Sequence, residues 1–474
     1  MHLRDGELVL SATDLSSFLG CRHRTALDMA VALGDRNKPR QYEDPLLDIL
    51  WKRGLEHERR YVESLRASRR SISELGDVKN PDDRVAATLA AMREGSEIIV
   101  QGALRDGNWF GYPDIMQRVE AGSALGSWSY EIADTKLARE TRAGTVLQLC
   151  LYSEMLAVAQ GSRPENFYVV TPEADIRVHQ FRLDDYAAYF RLIRAQMLET
   201  VALSHLTIAE SNYPDPVDHC EVCRWIEECK ARRRQDDHLS LVAGISRIQR
   251  RELESREVTT LTGLAALKMP LEPRPRRGSM ETYVRVREQA RLQFESRGKT
   301  PPLHELLSVE PEKGLCRLPE PSPGDLFIDL EGDQFAAEGG REYLFGVVRA
   351  DGSYEAKWGF TARAEREAFE WVMDLIGRTA RQHPGMHVFH YAPYEPSAFK
   401  RLMGRYATRE QELDSLLRAG RFIDLYAVVR QGLRAGVERY SIKNMEELYG
   451  FSRDGELPDA NRNLSLLRQG LELG

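Results

Sequence analysis

Residues 326–333 read LFIDLEGD, and this stretch decides the expected fold of the second half of the chain. Its apolar run predicts a strand. Asp329 and Glu331 are two residues apart on it, so both carboxylates face the same side. Two carboxylates on one strand face are the arrangement that holds a pair of divalent metal ions about 4 Å apart. The stretch therefore predicts a strand that carries a metal site.

The sequence around this strand continues an α/β pattern, with strand-like runs EYLFGVVRA, YEAKWGF, HVFHY and RFIDLYAVV separated by helical segments. His390, Tyr394 and Glu395 form a His-x-x-x-Tyr-Glu pattern. This pattern resembles the second motif of DEDD-type exonucleases, which have the ribonuclease H fold. The resemblance implies that Glu395 replaces the usual aspartate and that Asp424 lies near the metal.

The end of this region departs from that family. Its last acidic motif should follow the helix that ends in LYGF, but the closing residues offer Asp459 and Glu472 without a Tyr-x-x-x-Asp pattern. We therefore expect the ribonuclease-H-like domain, residues 318–474, to be incomplete at its C-terminal end.

A second set of polar residues lies far upstream. Asp134 and Lys136 in YEIADTKLA share one face of a predicted strand, and Gln148 and Tyr152 share one face of the following helix. Phosphodiester hydrolysis requires divalent metal bound by hard oxygen ligands, an activated water and positive charge. In chain order, the candidate residues are His57, Asp114, Asp134, Lys136, Gln148 and Tyr152.

These residues form the motifs Gly-x-x-His, Gly-x-x-Asp, Asp-x-Lys and Gln-x-x-x-Tyr. In this order the motifs resemble the RecB-type nucleases of the restriction-endonuclease-like PD-(D/E)xK superfamily. The resemblance implies that His57, Asp114 and Asp134 bind Mg²⁺ or Mn²⁺ and that Lys136 polarises the attacking water. Gln148 and Tyr152 would orient the nucleic-acid strand.

Four of the six cysteines bracket this set. Cys220, Cys223 and Cys229 form a C-x2-C-x5-C run, and Cys21 lies 199 residues before it, within a segment (11–33) predicted as one helix. This pattern resembles the iron–sulfur members of the same nuclease group, namely AddB and CRISPR-associated RecB-like exonucleases. The resemblance implies a structural [4Fe–4S] cluster. Thiolates also suit zinc, so a structural Zn²⁺ site is the alternative.

Charge is distributed unevenly along the chain. The net charge is −7, yet residues 230–299 contain 17 Lys and Arg against 9 Asp and Glu, a net of +8. This basic middle reads as a helical connector, residues 237–317, with a weak resemblance to a helix-hairpin-helix. Arginines in and beside it are candidates for neutralising nucleic-acid phosphates. They are Arg232, Arg233, Arg234, Arg250, Arg251, Arg274, Arg276 and Arg277.

With 474 residues and 42% hydrophobic content, the chain has room for several folded domains. We expect an α/β protein. A restriction-endonuclease-like core over residues 1–236 comes first, followed by the connector and the ribonuclease-H-like domain. There is no signal-peptide core and no stretch approaching the ~18 apolar residues of a membrane span, so we expect a cytoplasmic protein without membrane partners.

This domain order resembles the RecB-like putative nucleases whose longer members continue into a superfamily 1 helicase. The sequence contains no Gly-x-x-x-x-Gly-Lys-Ser/Thr phosphate loop, so a helicase would be a missing C-terminal region or a separate partner. The expected function is a metal-dependent DNA nuclease, more specifically an exonuclease, that acts on single-stranded DNA or duplex ends in DNA repair, recombination or defence. RNA stays open as a substrate. The alternative is a non-catalytic nucleic-acid-binding scaffold subunit of a helicase–nuclease assembly.

Overall fold

The computed structural model describes residues 1–39, 45–138, 141–172, 176–333 and 340–451, with backbone only at 45–50. Asp459 and Glu472 lie outside the described residues. The chain forms two compact units, Met1–Ala231 and Arg232–Gly474. Both units mix helices and strands, so the expected α/β class is confirmed. No helix in the described ranges combines the length and apolar character that crossing a membrane requires.

The strands of unit 1 are short. They are β1 (His2–Arg4), β2 (Glu7–Val9), β3 (Ile72–Glu74), β4 (Ile98–Val100), β5 (Leu104–Asp106), β6 (Trp109–Gly111), β7 (Ile115–Val119), β8 (Ser129–Thr135), β9 (Asn166–Thr171) and β10 (Arg177–Arg182). The helices are α1 (Ala12–Gly20), α2 (Arg22–Ala32), α3 (Pro45–Ala67), α4 (Pro81–Glu94), α5 (Ala143–Gln160), α6 (Leu183–Val201), α7 (His205–Ser211) and α8 (Ile226–Gln235), which runs on past the unit boundary.

The main sheet of unit 1 has β8 near its centre. Its strand order, within the described residues, is β10-β9-β8-β7-β4-β3, with β8 parallel to β9 and antiparallel to β7. Tyr130 and Ile132 on β8 pack in one core cluster with Leu147 and Leu151 of α5. The alternation along β8 therefore turns Asp134 toward α5 as well.

The segment predicted as one helix over 11–33 is two helices. Cys21 separates α1 from α2 in an extended conformation, with φ −162° and ψ 109°. Helix α1 begins at a capping box in which the Ser11 side chain and the Asp14 carboxylate each accept a bond from the other's backbone. The break at Cys21 places its side chain in a loop, where a thiolate can reach a shared site.

Unit 2 contains the remaining elements. Its strands are β11 (His304–Leu306), β12 (Leu326–Asp333), β13 (Arg341–Arg349), β14 (Tyr354–Trp358), β15 (Val388–His390), β16 (Phe422–Asp424) and β17 (Leu433–Ala435). Its helices are α9 (Arg247–Glu254), α10 (Leu261–Ala266), α11 (Met280–Ser296), α12 (Ala362–Gln382), α13 (Tyr394–Tyr406), α14 (Glu410–Arg418), α15 (Leu425–Gly432) and α16 (Ile442–Met445).

The main sheet of unit 2 has the described strand order β14-β13-β12-β15-β16, antiparallel from β12 to β14 and parallel from β12 to β16. Ile328 and Leu330 of β12 are buried with Phe345 and Val347 of β13 against the amphipathic helix α12. The alternate residues of β12 are exposed. The expected strand at 326–333, with Asp329 and Glu331 on one face, is present.

The basic connector packs inside unit 2. Leu253 of α9, Leu261 of α10 and Tyr283 of α11 belong to one buried cluster, so these helices share a core. Strand β11 pairs with β17, and Tyr440 donates a hydrogen bond of 2.9 Å to Gln289 on α11. The connector helices are therefore packed elements rather than a solvated tether.

Candidate active sites and the cysteine cluster

Asp134 and Lys136 lie together at the end of β8. Asp134 is fully buried, Lys136 is 29% exposed in its side chain, and Lys136 Nζ forms an ion pair with Asp134 Oδ2. Burial raises the pKa of Asp134, and the nearby Asp114 carboxylate raises it further. Burial would lower the pKa of Lys136, but Asp134 and Asp114 outweigh it, so the pKa of Lys136 is raised. Lys136 is therefore a cation here, suited to orienting water rather than deprotonating it.

Asp114 reaches the same place from the loop before β7. Its Oδ2 accepts hydrogen bonds from the Thr135 backbone N–H at 2.9 Å and from Thr135 Oγ1 at 3.0 Å. Thr135 lies between Asp134 and Lys136 in the sequence. The Asp-x-Lys triplet thus fixes Asp114 through its middle residue.

Helix α5 places Gln148 and Tyr152 beside Asp134. Gln148 Nε2 lies 3.5 Å from Asp134 Oδ1 and 3.4 Å from Tyr152 Oη. A Cβ at Gly111 would lie 2.5 Å from the Tyr152 ring. The glycine of the Gly-x-x-Asp motif therefore makes room for the tyrosine of the Gln-x-x-x-Tyr motif.

His57 is buried at 4% exposure, and its Nε2 is 3.0 Å from the Val170 carbonyl oxygen on β9. Its sequence neighbour Glu58 belongs to the acidic set instead. Burial raises the pKa of Glu58, Asp114 raises it further, and Lys136 opposes this. Gln101, which adopts φ +52°, donates a hydrogen bond of 2.9 Å to Glu58 Oε1. The sequence did not predict Glu58, because the Gly-x-x-His motif indicates only the neighbouring histidine as a metal ligand.

The four predicted cysteine ligands line one small pocket. Cys21 comes from the α1–α2 break, Cys220 and Cys223 from the turn at 218–223, and Cys229 from α8. Burial raises the pKa values of the Cys21 and Cys223 thiols, and the proximity of Cys220 raises both further. One of the four cysteines precedes the main sheet of unit 1 and three follow it, so a bound metal centre would link the two ends of unit 1.

Protein contacts already join these ends. Trp225, which also lines the cavity and is 1% exposed, donates from Nε1 to Asp28 of α2 at 2.9 Å. Arg36 forms an ion pair with Glu228 of α8 at 2.5 Å, and its guanidinium lies over the Trp225 ring. The cysteines therefore lie in a preformed pocket between α2 and α8.

In unit 2, three elements bring the predicted carboxylates together. Asp329 and Glu331 lie on β12, Glu395 in the first turn of α13, and Asp424 at the end of β16. Burial raises the pKa of Glu395 to about 7, and Asp329 and Asp424 contribute to the rise. Asp424 is fixed by hydrogen bonds from the backbone N–H groups of Ala392 at 3.0 Å and Tyr426 at 2.9 Å.

Glu395 is the most enclosed of these carboxylates, at 4% exposure, and its Oε2 accepts no hydrogen bond from the described residues. His390 Nδ1 lies 3.7 Å from that oxygen and 2.6 Å from the Ala392 carbonyl. Burial lowers the pKa of His390. A neutral ring that donates to Ala392 leaves Glu395 Oε2 without a proton donor.

Further residues around this centre were not evident from the sequence. A Cβ at Gly332 would lie 2.2 Å from Glu342 Oε2 and 2.6 Å from Tyr394 Oη, so the glycine of LFIDLEGD admits both side chains. Tyr394 donates to Glu342 at 2.9 Å. Burial raises the pKa of Glu331, and Lys443 opposes the rise, which places a cation within electrostatic reach of the carboxylates.

Residues 326–464 match the family model RNase_H_2, of the RNase H superfamily. Unit 2 therefore carries a ribonuclease-H-like domain. The match begins at β12 and includes all four carboxylates of this centre. Ribonuclease-H-like domains are typically metal-dependent nucleases, which implies nucleic-acid binding. No curated protein matches the chain.

The donor set of the ribonuclease-H-like domain fits a divalent cation. Carboxylate oxygens are the ligands that Mg²⁺ and Mn²⁺ prefer. Glu395 Oε2 is a buried acceptor with no hydrogen-bond donor among the described residues, and a cation would satisfy it. Asp114 and Asp134 of unit 1 are likewise close enough to raise the pKa of Asp134.

The predicted nucleic-acid-binding arginines differ in their exposure. Arg233 and Arg250 are buried, each at 6% exposure. Arg232 and Arg234 are exposed, and they pair with Asp236 at 2.5 Å and Glu438 at 2.9 Å. Arg251, Arg274, Arg276 and Arg277 are also exposed. A surface path for phosphates would thus rest on the six exposed arginines.

Proposed function

We propose that this protein is a metal-dependent DNA nuclease with two hydrolytic centres, one in each unit. The observation that carries the proposal is the convergence of Asp329, Glu395 and Asp424 from three elements, where burial, together with the two neighbouring carboxylates, raises the pKa of Glu395 to about 7. Folding like-charged groups together in this way costs free energy. A divalent cation bound between the carboxylates would relieve their repulsion, and this relief would contribute to its binding affinity.

In the ribonuclease-H-like domain, Asp329, Glu331, Glu395 and Asp424 would hold Mg²⁺ or Mn²⁺. The bound metal would supply a water of lowered pKa and would neutralise charge on the scissile phosphate. The backbone donors at Ala392 and Tyr426 keep Asp424 oriented. Lys443 adds positive charge close to Glu331, where a phosphate would lie.

In unit 1, we propose a restriction-endonuclease-like centre of the PD-(D/E)xK kind. Asp114 and Asp134 would bind the metal, with Glu58 as a further ligand; His57 stays a candidate only through its Nδ1, because its Nε2 lies at the Val170 carbonyl. Lys136 would orient the attacking water and stabilise developing negative charge, because its pKa is raised and it stays protonated. Gln148 and Tyr152 would hold the nucleic-acid strand from the α5 side.

We further propose that Cys21, Cys220, Cys223 and Cys229 hold a structural [4Fe–4S] cluster. The four side chains line one pocket, and their one-plus-three spacing favours a cluster over a structural zinc site, which usually draws on two close cysteine pairs. Metal analysis and the visible absorption spectrum of anaerobically purified protein test this. Zinc in place of iron would refute the cluster while keeping the cysteine site.

Cleavage assays on end-labelled DNA and RNA, single-stranded and duplex, test the nuclease proposal. Asp134→Asn should abolish the Mg²⁺- or Mn²⁺-dependent activity of unit 1, and Glu331→Gln that of the ribonuclease-H-like domain. The double variant should be inactive. Glu120→Gln and Glu355→Gln are matched controls, because both glutamates are exposed and paired with arginines, at 3.0 and 2.6 Å.

The pattern of loss assigns the chemistry. Activity lost only in Asp134→Asn assigns hydrolysis to unit 1, and activity lost only in Glu331→Gln assigns it to the ribonuclease-H-like domain. Activity that survives in the double variant would refute both centres. Wild-type protein that binds DNA but cleaves no substrate with either metal would refute the nuclease and favour the scaffold role.

A further inference from the structure

The sheet face that carries the carboxylates of the ribonuclease-H-like domain also carries exposed aromatic side chains. Phe327 on β12 is 42% exposed, and on the edge strand β14 Tyr354 is 62% and Trp358 is 48% exposed. Along β12, Phe327 precedes Asp329 and Glu331 at alternate positions, so all three side chains share one face.

The register of the strands extends this face to the edge of the sheet. Asp329 lies opposite Gly346 of β13, and Gly346 lies opposite Ala356 of β14. Directly paired residues point to the same side of a sheet. Tyr354 and Trp358 are each two residues from Ala356, so they lie on the Asp329 side.

Two side-chain observations agree with this assignment. A Cβ at Gly346 would lie 3.3 Å from Tyr354 Oη, so the tyrosine reaches across Gly346 in the direction of Asp329. Lys357, between the aromatic residues, points to the opposite face, where its Nζ donates to the Glu367 carbonyl of α12 at 3.3 Å. Trp358 in turn stacks on Phe360, with ring centroids 5.0 Å apart.

We propose that this aromatic face, defined as Phe327, Tyr354, Trp358 and Phe360, binds the bases of a single-stranded nucleic acid whose backbone crosses the carboxylate centre. The inference rests on the proposed nuclease function and names the form of its substrate. Exposed aromatic rings on a sheet bind unpaired bases by stacking, without regard to sequence. Bases inside a duplex are unavailable for such stacking.

The spacing of the sheet supports this occupant. Neighbouring strands lie about 4.8 Å apart, so β14 is roughly 10 Å from the carboxylates of β12. This distance allows a single nucleic-acid strand to place a phosphate at Asp329 while its neighbouring nucleotides stack on Tyr354 and Trp358. The aromatic face is thus continuous with the proposed catalytic centre.

Binding without metal separates this inference from the nuclease proposal. Fluorescence anisotropy with labelled dT20 and rU20 in EDTA should show that Tyr354→Ala and Trp358→Ala each weaken binding by about 5- to 150-fold, the range expected for one lost base stack. Trp358→Phe should restore most of the affinity. Tyr189→Ala is the control, because Tyr189 on α6 is 46% exposed and lies in unit 1.

Photocrosslinking of a 5-iodouracil oligonucleotide in EDTA should label the peptide that contains residues 354–360. Unchanged affinity in both alanine variants together with no crosslink in this peptide would overturn the aromatic face, even if Glu331→Gln still abolishes cleavage. Base binding that depends on Tyr354 and Trp358 in a protein that cleaves nothing would support the face and refute only the nuclease. Self-association lost in Trp358→Ala, with DNA affinity unchanged, would assign the face to a second copy and overturn the inference.

Discussion

Glu395→Gln should stabilise the metal-free ribonuclease-H-like domain at alkaline pH while removing its activity. Glu395 is 4% exposed, its Oε2 accepts no hydrogen bond from the described residues, and its pKa is raised to about 7 from 4.5. Because the folded-state pKa is the higher one, the carboxyl stabilises the fold below about pH 4.5, and this stabilisation is lost as the pH rises through about 7. A neutral amide avoids that loss.

The difference between the two pKa values sets the size of the effect. A pKa of about 7 in place of 4.5 corresponds to at most about 3–4 kcal/mol of stability. Solvent penetration and relaxation around the charge reduce this to about 1–2 kcal/mol. For a unit of this size, that raises the melting temperature by about 2–8 °C at pH 8. At pH 5 the gain should be much smaller, since wild-type Glu395 is then largely protonated.

Differential scanning calorimetry in EDTA at pH 5 and pH 8 measures the difference in melting temperature between the wild type and Glu395→Gln. Glu365→Gln is the matched control. Glu365 is 1% exposed, but it pairs with Arg405 at 3.1 Å and accepts a hydrogen bond from Tyr406, so its loss should lower the melting temperature. Adding Mg²⁺ at pH 8 should raise the melting temperature of the wild type more than that of Glu395→Gln. A Glu395→Gln variant that melts at or below the wild-type temperature at pH 8 would refute the reasoning.

Three further predictions concern unit 1. Gly111→Ala should lower the melting temperature of unit 1 by several degrees, because the new Cβ would lie 2.5 Å from the Tyr152 ring. Adding Tyr152→Ala in the same chain should relieve that clash. Additive losses of melting temperature in the double variant would contradict this explanation. Glu58→Gln should raise the Mg²⁺ concentration needed for cleavage by this unit, and an unchanged requirement would exclude Glu58 as a ligand. Cys223→Ser should lower the metal content of the purified protein and destabilise unit 1; full metal content by elemental analysis would exclude Cys223 as a ligand.

The sequence was most informative where chemistry and periodicity coincide. LFIDLEGD predicted both a strand and the shared face of Asp329 and Glu331, because alternation alone determines them. The domain that contains them was predicted from short motifs and is confirmed by the superfamily match. The unit 1 centre and the cysteine ligands stay predictions, although the structure brings Asp114, Asp134 and Lys136 together.

What escaped prediction depends on long-range pairing or on unusual backbone. Gln101 supports Glu58 from a left-handed conformation, which nothing in its sequence context signals. The burial of Arg233 and Arg250 was equally hidden, because a run of arginines ordinarily marks a solvated helix face. A single sequence reports local preferences well, but it does not report which distant surface will cover a side chain.

The two proposed centres handle positive charge differently. In unit 1 a lysine of the protein already pairs with the buried carboxylate, so Asp134 keeps a countercharge before any metal binds. In the ribonuclease-H-like domain Glu395 has a neutral histidine as its neighbour, and the Lys443 ammonium lowers the pKa of Glu331 against the effect of burial. Metal binding should therefore stabilise the ribonuclease-H-like domain, because the cation would supply a positive countercharge that no described residue provides for Glu395 Oε2.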